Sequence, residues 1–463
     1  MLVIGGSDAG ISASLRAREL DPATDVTMVV ADAYPNFSIC GIPFHLSGET
    51  PDWRDLAHRT REEIEASGLV LRLETRAVHV DVRERSVTLR GPGGAEESVA
   101  YDRLVIGTGA LPIEPPIDGL REDGVHLLHS MDDTFALRDR LEGARSAVVV
   151  GGGYIGLEMA DALSRRSLEV TLLEQAPAVM TTVDVELGAL IGDELTTHGV
   201  DVRTSAFVRT ITRTGLDGRL AVTGDGFADA EGDVVLVVVG VRPDSALARE
   251  AGIETGIRGA IRVDTRMRTN VPGVYAAGDC VETWHRVLRR PAYLPLGTTA
   301  HKQGRIAGEN AVGGDREFEG SLGTQVVKVF DLAVARTGLR DADAGAGAGD
   351  AGFEPVTIHF EAWDHKVYYP GATRMSIRTT GDRRDGRLLG AQIVGHHRGQ
   401  VAKRIDVFAT ALFNGMAVDD LSDLDLSYTP PLSSPWDPVQ MAAQHWVRES
   451  GASSTDGTPS ASR

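Results

Sequence analysis

Two copies of one unit constrain this chain more than any other feature: a short β-rich strand, a glycine turn and a helix. The first copy runs MLVIGG into SDAG and ISASLRAREL; the second reads SAVVVGGGYIGLEMADALSRR and continues into the strand EVTLLE. A strand feeding a helix this way returns to a parallel neighbour, so the pattern predicts an α/β chain with parallel sheets. Glycine permits the tight turn, and the helix N-terminus then presents unpaired N–H groups to a pyrophosphate. In the second copy Gly151, Gly153 and Gly156 complete the G-x-G-x-x-G pattern. Glu174 ends the next strand at the distance where a carboxylate accepts from an adenosine ribose 2′-hydroxyl. The same carboxylate repels a 2′-phosphate, which predicts NADH over NADPH, with NADPH still possible. The first copy supplies Gly5, Gly6 and Gly10, with Ser7 in place of the middle glycine and Asp32 as the matching acid. Alone, that copy also reads as an ordinary βα turn.

Two dinucleotide folds in one chain imply two dinucleotides, a fixed flavin and a diffusing nicotinamide. Two further strand ends support the flavin. VYAAGDC would aim Asp279, after Gly278, at a ribityl hydroxyl, and IGTGALP would close Thr108 and Gly109 over the pyrophosphate side. Another strand, in DVVLVVVGVRP, closes at Gly240. From about Gly323 the character changes: TQVVKVF, TIHFEA, RMSIRTT and LLGAQIVG look like strands of an antiparallel sheet. VAKRIDVFATALFNGM then places Val401, Ile405, Phe408, Leu412 and Phe413 on one helical face. GLRDADAGAGAGDAGFEP reads as a small-residue loop and ESGASSTDGTPSASR as a disordered tail.

Composition excludes several classes. At 463 residues the chain is long enough for two or three domains. A formal charge of −19 argues against nucleic acid, whose phosphates call for a basic face. There is no apolar run of membrane-spanning length. The N-terminus enters a strand directly, with no basic region or cleavage site, which predicts no signal peptide. Two cysteines, Cys40 and Cys280, make no disulfide framework and suit a reducing cytoplasm.

The combination of GGGYIGLEMADAL, AAGDC, LPLGTTAHKQGRIAGEN, VKVFDLAVARTGL, YYPGAT, KRIDVFATAL and SYTPPLSSPWDPV resembles the single-cysteine branch of the FAD-dependent pyridine nucleotide-disulfide oxidoreductases. That branch contains coenzyme A disulfide reductases, NADH oxidases and peroxidases, and persulfide reductases. The resemblance covers nearly everything from Leu2 to about Val447. It implies two Rossmann-like dinucleotide-binding domains plus a C-terminal α+β dimerisation domain. The implied boundaries are 1–115 and 244–320 for the FAD-binding domain, 116–243 for the NAD(P)H-binding domain, 321–447 for dimerisation and 448–463 for the tail. It further implies a homodimer acting on a small thiol-disulfide or persulfide, with hydride passing from NADH to FAD and onward to a Cys40 mixed disulfide.

Cys40 lies in NFSICGIPFHLSGE, where two-cysteine relatives carry C-x4-C; Gly41, Ile42, Pro43, Phe44 and His45 follow it here. Any disulfide must then form with a second molecule. Pro43 fits just inside a helix start, which would favour the reactive thiolate. The alternative is an inert buried cysteine, the role expected of Cys280. By resemblance, Tyr428 and Tyr368 reach the cysteine of the partner subunit, where a phenol could serve the departing thiolate; simple interface packing is the alternative. Tyr154 resembles the residue that covers the flavin, Glu158 would sit near the nicotinamide, and His301 would begin a helix beside the flavin. Departures leave the substrate open. Coenzyme A disulfide reductases usually carry S-F-x-N-C-x-x-P-Y, where this chain has Asn36, Ile39 and Phe44. Arg18 and Arg59 lie in segments resembling coenzyme A-binding helices. Asp8 stands where oxidases and peroxidases place a histidine, and a carboxylate there opposes a nearby thiolate. NADH oxidase or peroxidase chemistry through a Cys40 sulfenic acid, or electron transfer to an iron–sulfur protein, are the alternative activities.

Overall fold

The computed structural model describes residues 1–214, 218–347 and 352–451. It forms two compact units. One comprises Met1–Gln175, Ser205–Trp284 and Arg290–Ser321; the other comprises Ala176–Thr204, His285–Arg289 and the chain from Leu322.

In the first unit, strands β1 (Leu2–Ile4), β2 (Val26–Val29), β3 (Leu69–Arg72) and β4 (Leu104–Ile106) form one parallel sheet with a later strand, Val274–Ala276, which pairs with β4. A second parallel sheet contains β5 (Val125–His126), β6 (Ser146–Val150), β7 (Glu169–Leu173) and β8 (Val234–Val237) in the order β7-β6-β8-β5. Val274–Ala276 is β9, so the first sheet runs β9-β4-β1-β2-β3. Strands β1, β4, β6, β8 and β9 are buried along their whole length. This is why they read as unbroken apolar runs rather than alternating ones.

Each glycine turn leads into the helix that the sequence pattern predicts. Helix α1 spans Asp8–Leu20 after the first turn. The short α2 spans Ile42–Ser47, and α3 spans Tyr154–Arg165 after the second turn. Helix α4, Gly297–Ala311, packs lengthwise on α1. A Cβ on Gly304 would lie 2.3 Å from the Ala9 carbonyl oxygen, and one on Gly308 would lie 2.1 Å from that of Ala13. Those distances allow only hydrogen, so two small-residue steps one turn apart set the helix separation. His301, Gly304 and Gly308 share the i, i+3, i+7 face that meets α1.

The second unit holds a five-stranded antiparallel sheet. Its strands are β10 (Gln325–Val329), β11 (Leu332–Gly338), β12 (Pro355–Trp363), β13 (Arg374–Asp382) and β14 (Leu388–His396), in the order β10-β11-β14-β13-β12. Helices α5 (Val401–Phe413) and α6 (Pro438–Ser450) complete its core through Val401, Ile405, Phe408, Leu412 and Trp446. Three expectations are corrected. Phe413 is exposed, because it falls past the helical stripe at the last position of α5, and the Arg286 guanidinium lies 3.9 Å from its ring centroid. The small-residue segment contains a helix, Asp341–Gly347, while residues 348–351 lie outside the described residues. Helix α6 continues to Ser450, past the expected start of the tail, under a capping box from Asp437 and Gln440; residues 452–463 lie outside the described residues. No helix among the described residues is long and apolar enough to cross a membrane.

The α1–α4 contact makes a testable statement. Gly308→Leu is expected to cost about 3 kcal/mol, the upper end of ordinary overpacking, in urea or thermal unfolding. Gly192→Ala sits in a helix where a new Cβ meets nothing within 4 Å. It should instead stabilise by about 0.5–1 kcal/mol.

Candidate active site

Both glycine turns are built for close backbone approach. Gly5 has φ +110, and a Cβ there would meet the Gly107 oxygen at 2.0 Å; one on Gly10 would meet the Gly5 oxygen at 1.9 Å. The second turn repeats this arrangement. Gly151 has φ +108, and a Cβ on it would lie 2.7 Å from the Val238 oxygen; one on Gly156 would meet the Gly151 oxygen at 1.9 Å. Gly6 faces Val30, while Gly153 opens on free space. Ser7 and Gly153, the two N-caps, are extended and make no side-chain cap bond. Both helices therefore present uncapped N–H groups and a positive dipole end, the donor set that a pyrophosphate requires. The residues present fit a flavin dinucleotide at the first turn and a nicotinamide dinucleotide at the second.

Around the first turn, separate segments converge. Gly278 has φ +89, its N–H donates to Gln303 Oε1 at 3.0 Å, and a Cβ on it would meet the Ala9 Cβ at 2.9 Å. Asp279 follows, and burial pushes its carboxyl up to about 6, with the Asp8 charge adding to the effect. Thr108 Oγ1 donates to the Asp244 carbonyl at 2.5 Å, and the Asp244 N–H donates to Gly109 O at 3.0 Å. Asp32 accepts from the Tyr34 N–H at 2.8 Å, and burial raises its carboxyl. Asn36 is buried at φ +61; its N–H donates to Gly6 O at 2.8 Å, tying the cysteine segment to the glycine turn. In the second site, Glu174 Oε2 accepts from the Gly152 N–H at 2.6 Å, which places the carboxylate at the turn itself. The carbonyl of Gly240, a residue at φ +116, accepts from the Ile113 N–H at 2.9 Å.

Cys40 is exposed, in a single 3-10 turn, Ile39–Gly41, that leads into α2. The α2 segment packs on α3, and Arg166 Nη1 donates to Leu46 O at 3.1 Å. Crowding around its sulfur raises the Cys40 thiol, and the charges of Glu158, Asp8 and Asp279 push in the same direction. The helix expected to favour thiolate, α2, has only six residues, and burial and these charges both act against a thiolate. Cys280 is fully buried, with burial pushing its thiol up to about 11.

One placement differs from the sequence reading. His301 lies in the second turn of α4 rather than at its start, because the helix already begins at Gly297. There its Nε2 stands 3.1 Å from Asp8 Oδ1 and its Nδ1 2.8 Å from Ser12 Oγ. Ser12 is a site residue that sequence patterns do not single out; its only signal is the i, i+4 spacing from Asp8. Arg18 is committed to the carbonyls of Pro22, Thr24 and Ser67, so its guanidinium is occupied within its own unit; Arg59 is exposed. In the second unit, Tyr368 and Tyr428 are 73% and 45% exposed. Val367, Tyr369, Leu432 and Trp436 extend this exposed apolar surface.

Residues 1–304 match the family described as pyridine nucleotide-disulphide oxidoreductase, and residues 324–438 match its dimerisation domain. The chain is 33% identical over 447 residues to an NAD(P)H sulfur oxidoreductase (CoA-dependent) of Pyrococcus abyssi, covering 96% of this chain and 97% of that one. It is 32% identical over 453 residues to an NADH oxidase of Methanocaldococcus jannaschii, covering 97% and 98%. The solved structure of an NAD-dependent persulfide reductase from A. fulgidus superposes with a TM-score of 0.92 at 37% identity, covering 96% of this chain and 82% of that one.

The raised Asp279 carboxyl gives a pH signature. Its folded pKa lies above the unfolded value, so its contribution is fully present below about pH 4 and is lost as pH rises through about 6. Asp279→Asn removes that loss. In flavin-stripped protein, thermal unfolding of the variant should gain on wild type by up to about 3 kcal/mol between those pH values. Parallel curves would show that Asp279 is solvated like an ordinary carboxylate.

Proposed function

The chain belongs to the pyridine nucleotide-disulphide oxidoreductase family, and on that premise we propose that Cys40 is its redox centre, acting on a disulfide or persulfide. The enzyme is an oxidoreductase that works with FAD and a nicotinamide dinucleotide. One observation carries the assignment of Cys40. It is the exposed one of the chain's two cysteines; its segment is tied to the first glycine turn by the Asn36 N–H, which donates to Gly6 O at 2.8 Å, and the helix that follows it packs on α3.

In this reading the Cys40 thiolate attacks one sulfur of R–S–S–R. The S–S bond breaks, RS⁻ leaves and takes up a proton, and Cys40–S–S–R remains. With a persulfide, attack on the outer sulfur leaves a Cys40 persulfide and releases the parent thiol. FAD, held by the first glycine turn, would supply two electrons received as hydride from NADH, enough to break the Cys40–S–S–R bond, release the second RS⁻ (HS⁻ from a Cys40 persulfide) and return Cys40 to its thiolate. Gly5, Gly6, Gly10, Asp32, Thr108, Gly109, Gly278, Asp279 and His301 are assigned to the flavin side. Gly151, Gly153, Tyr154, Gly156, Glu158, Glu174 and Gly240 are assigned to the nicotinamide side. We assign 1–115 and 244–320 to flavin binding, 116–243 to nicotinamide binding and 321–447 to dimerisation.

The match to the dimerisation domain supports a homodimer. The exposed aromatic surface around Tyr368 and Tyr428 supports their placement at its interface, serving the cysteine of a second copy. A single reactive thiol suits the reducing cytoplasm. Among sulfur substrates, a persulfide or small disulfide is favoured over coenzyme A disulfide. Ile39, 40% exposed, puts an apolar side chain beside the cysteine, and Arg18 is committed to backbone carbonyls. A second reading, NADH oxidase chemistry through Cys40 sulfenic acid, draws on the similarity to the Methanocaldococcus enzyme.

Cys40→Ser should lower disulfide or persulfide turnover by at least about a thousandfold, while NADH still bleaches the flavin in stopped-flow absorbance. Turnover at the wild-type rate in this variant would remove Cys40 from the mechanism. Glu174→Ala should narrow the preference for NADH over NADPH by at least about tenfold, as loss of one charged hydrogen bond implies. An unchanged preference in steady-state kinetics would place the ribose elsewhere.

A further inference from the structure

Away from the glycine turns, three imidazoles and two carboxylates of the second unit gather around one hairpin turn. Strands β10 and β11 pair up to Val329 and Leu332, which leaves Phe330 and Asp331 as the two loop residues. Phe330 takes φ +49 and is buried, with its ring stacked on the His198 ring at 4.2 Å and 8°. The turn is thereby fixed against the C-terminal end of the helix Val185–Thr197, and Asp331 stands exposed beside it. Leu332 pairs with His396 at the end of β14, and the His397 N–H donates to Asp331 O at 2.8 Å.

Two sets of metal-ligating groups meet at Asp331. Ligand atoms of Asp331, His396 and His397 lie within 4.8 Å of one another, and those of Asp331, Glu194 and His198 do the same. Two ligands each about 2.0–2.2 Å from a shared ion lie at most about 4.4 Å apart. Small side-chain adjustments therefore close either set on an ion. The ring orientations suit this. His198 Nδ1 stands 3.0 Å from Glu194 O, and His397 Nδ1 stands 3.1 Å from Asp331 O. A carbonyl only accepts, so each Nδ1 carries the hydrogen and each Nε2 keeps its lone pair. A backbone carbonyl on the far nitrogen is the arrangement that orients metal-ligating histidines. His198 Nε2 lies 3.8 Å from Asp331 Oδ2, and Glu194 Oε1 positions the turn by accepting from the Asp331 N–H at 2.9 Å. His396 differs: its Nδ1 accepts from the Arg398 N–H at 3.1 Å, a bond that coordination by Nδ1 would replace.

We propose that this cluster binds one divalent first-row transition-metal ion, held by the Asp331 carboxylate and the imidazoles of His198, His396 and His397. Imidazole donors select an ion such as zinc or nickel over magnesium and calcium, which prefer oxygen ligands. The Asp331 side chain is 62% exposed, so water completes the coordination. Bound there, the ion clips the β10–β11 turn to the end of β14 and, through His198, to the helix Val185–Thr197. Its donors are nitrogen and oxygen, so the site is chemically separate from the Cys40 thiol.

The test is equilibrium dialysis of tag-free, FAD-loaded protein carrying Cys40→Ser against Zn²⁺, with bound zinc counted by elemental analysis. Cys40→Ser removes a competing thiol. One ion per chain is expected, retained in a large excess of magnesium. In that background, Asp331→Asn and the H396A/H397A double variant should each weaken binding at least about a hundredfold, the upper end of what losing an orienting partner costs. His198→Phe keeps a ring stacked on Phe330 but removes the nitrogens, and should weaken binding at least about tenfold. Flavin content and the metal-free Tm should stay at the parent value in all three, which separates loss of the site from loss of the fold. Zn²⁺ should raise the Tm of the parent and leave that of D331N unchanged. Two outcomes overturn the proposal: a parent protein that binds zinc no more tightly than magnesium, or an affinity that any of the three variants leaves at the parent value.

Discussion

At Gly304 and Gly308 the helix α4 lies so close to α1 that a single added carbon would strike the carbonyls of Ala9 and Ala13. Most of the candidate flavin side depends on that contact. It fixes the N-terminus of α1 against Gly278, sets Gln303 where it can accept from the Gly278 N–H, and carries His301 to Asp8 and Ser12. Widening it would separate the pieces of the site before it disturbed either sheet. Small residues here are a geometric requirement, and their cost in helix propensity is modest, roughly 1 kcal/mol for each glycine.

Electrostatics divides the site into two tasks. The uncapped N-termini of α1 and α3 offer local positive potential to dinucleotide phosphates, in a chain whose net charge is −19. The cysteine faces the opposite condition: burial of its sulfur raises the Cys40 thiol, and the charges of Glu158, Asp8 and Asp279 add to that effect.

Local patterns are the legible part of this protein. Gly151, Gly153 and Gly156 with Glu174, the buried runs of β1 and β6, and the Val401–Leu412 stripe each express a backbone requirement within about twenty residues, the scale on which periodicity works. The Asp8–His301–Ser12 cluster is not legible, because Ser12 and His301 are 289 residues apart and meet only through helix packing. The sense of the Cys40 shift is hidden from the sequence for a related reason. Pro43 signals the helix start, whereas the burial and the carboxylates that raise the thiol come from the packing of other elements. The partners of Arg18 are hidden in the same way: one of its three carbonyl acceptors, Ser67, lies 49 residues away.

If Cys40 carries the chemistry, it must pass through a covalent mixed disulfide or persulfide with the substrate. The decisive experiment is intact and peptide mass of anaerobically NADH-reduced protein after one equivalent of disulfide or persulfide is added, followed by a second addition of NADH. One adduct per chain is expected, confined to the Cys40 peptide and removed by the second addition. Steady turnover of the same substrate with Cys40 unmodified throughout would rule that intermediate out.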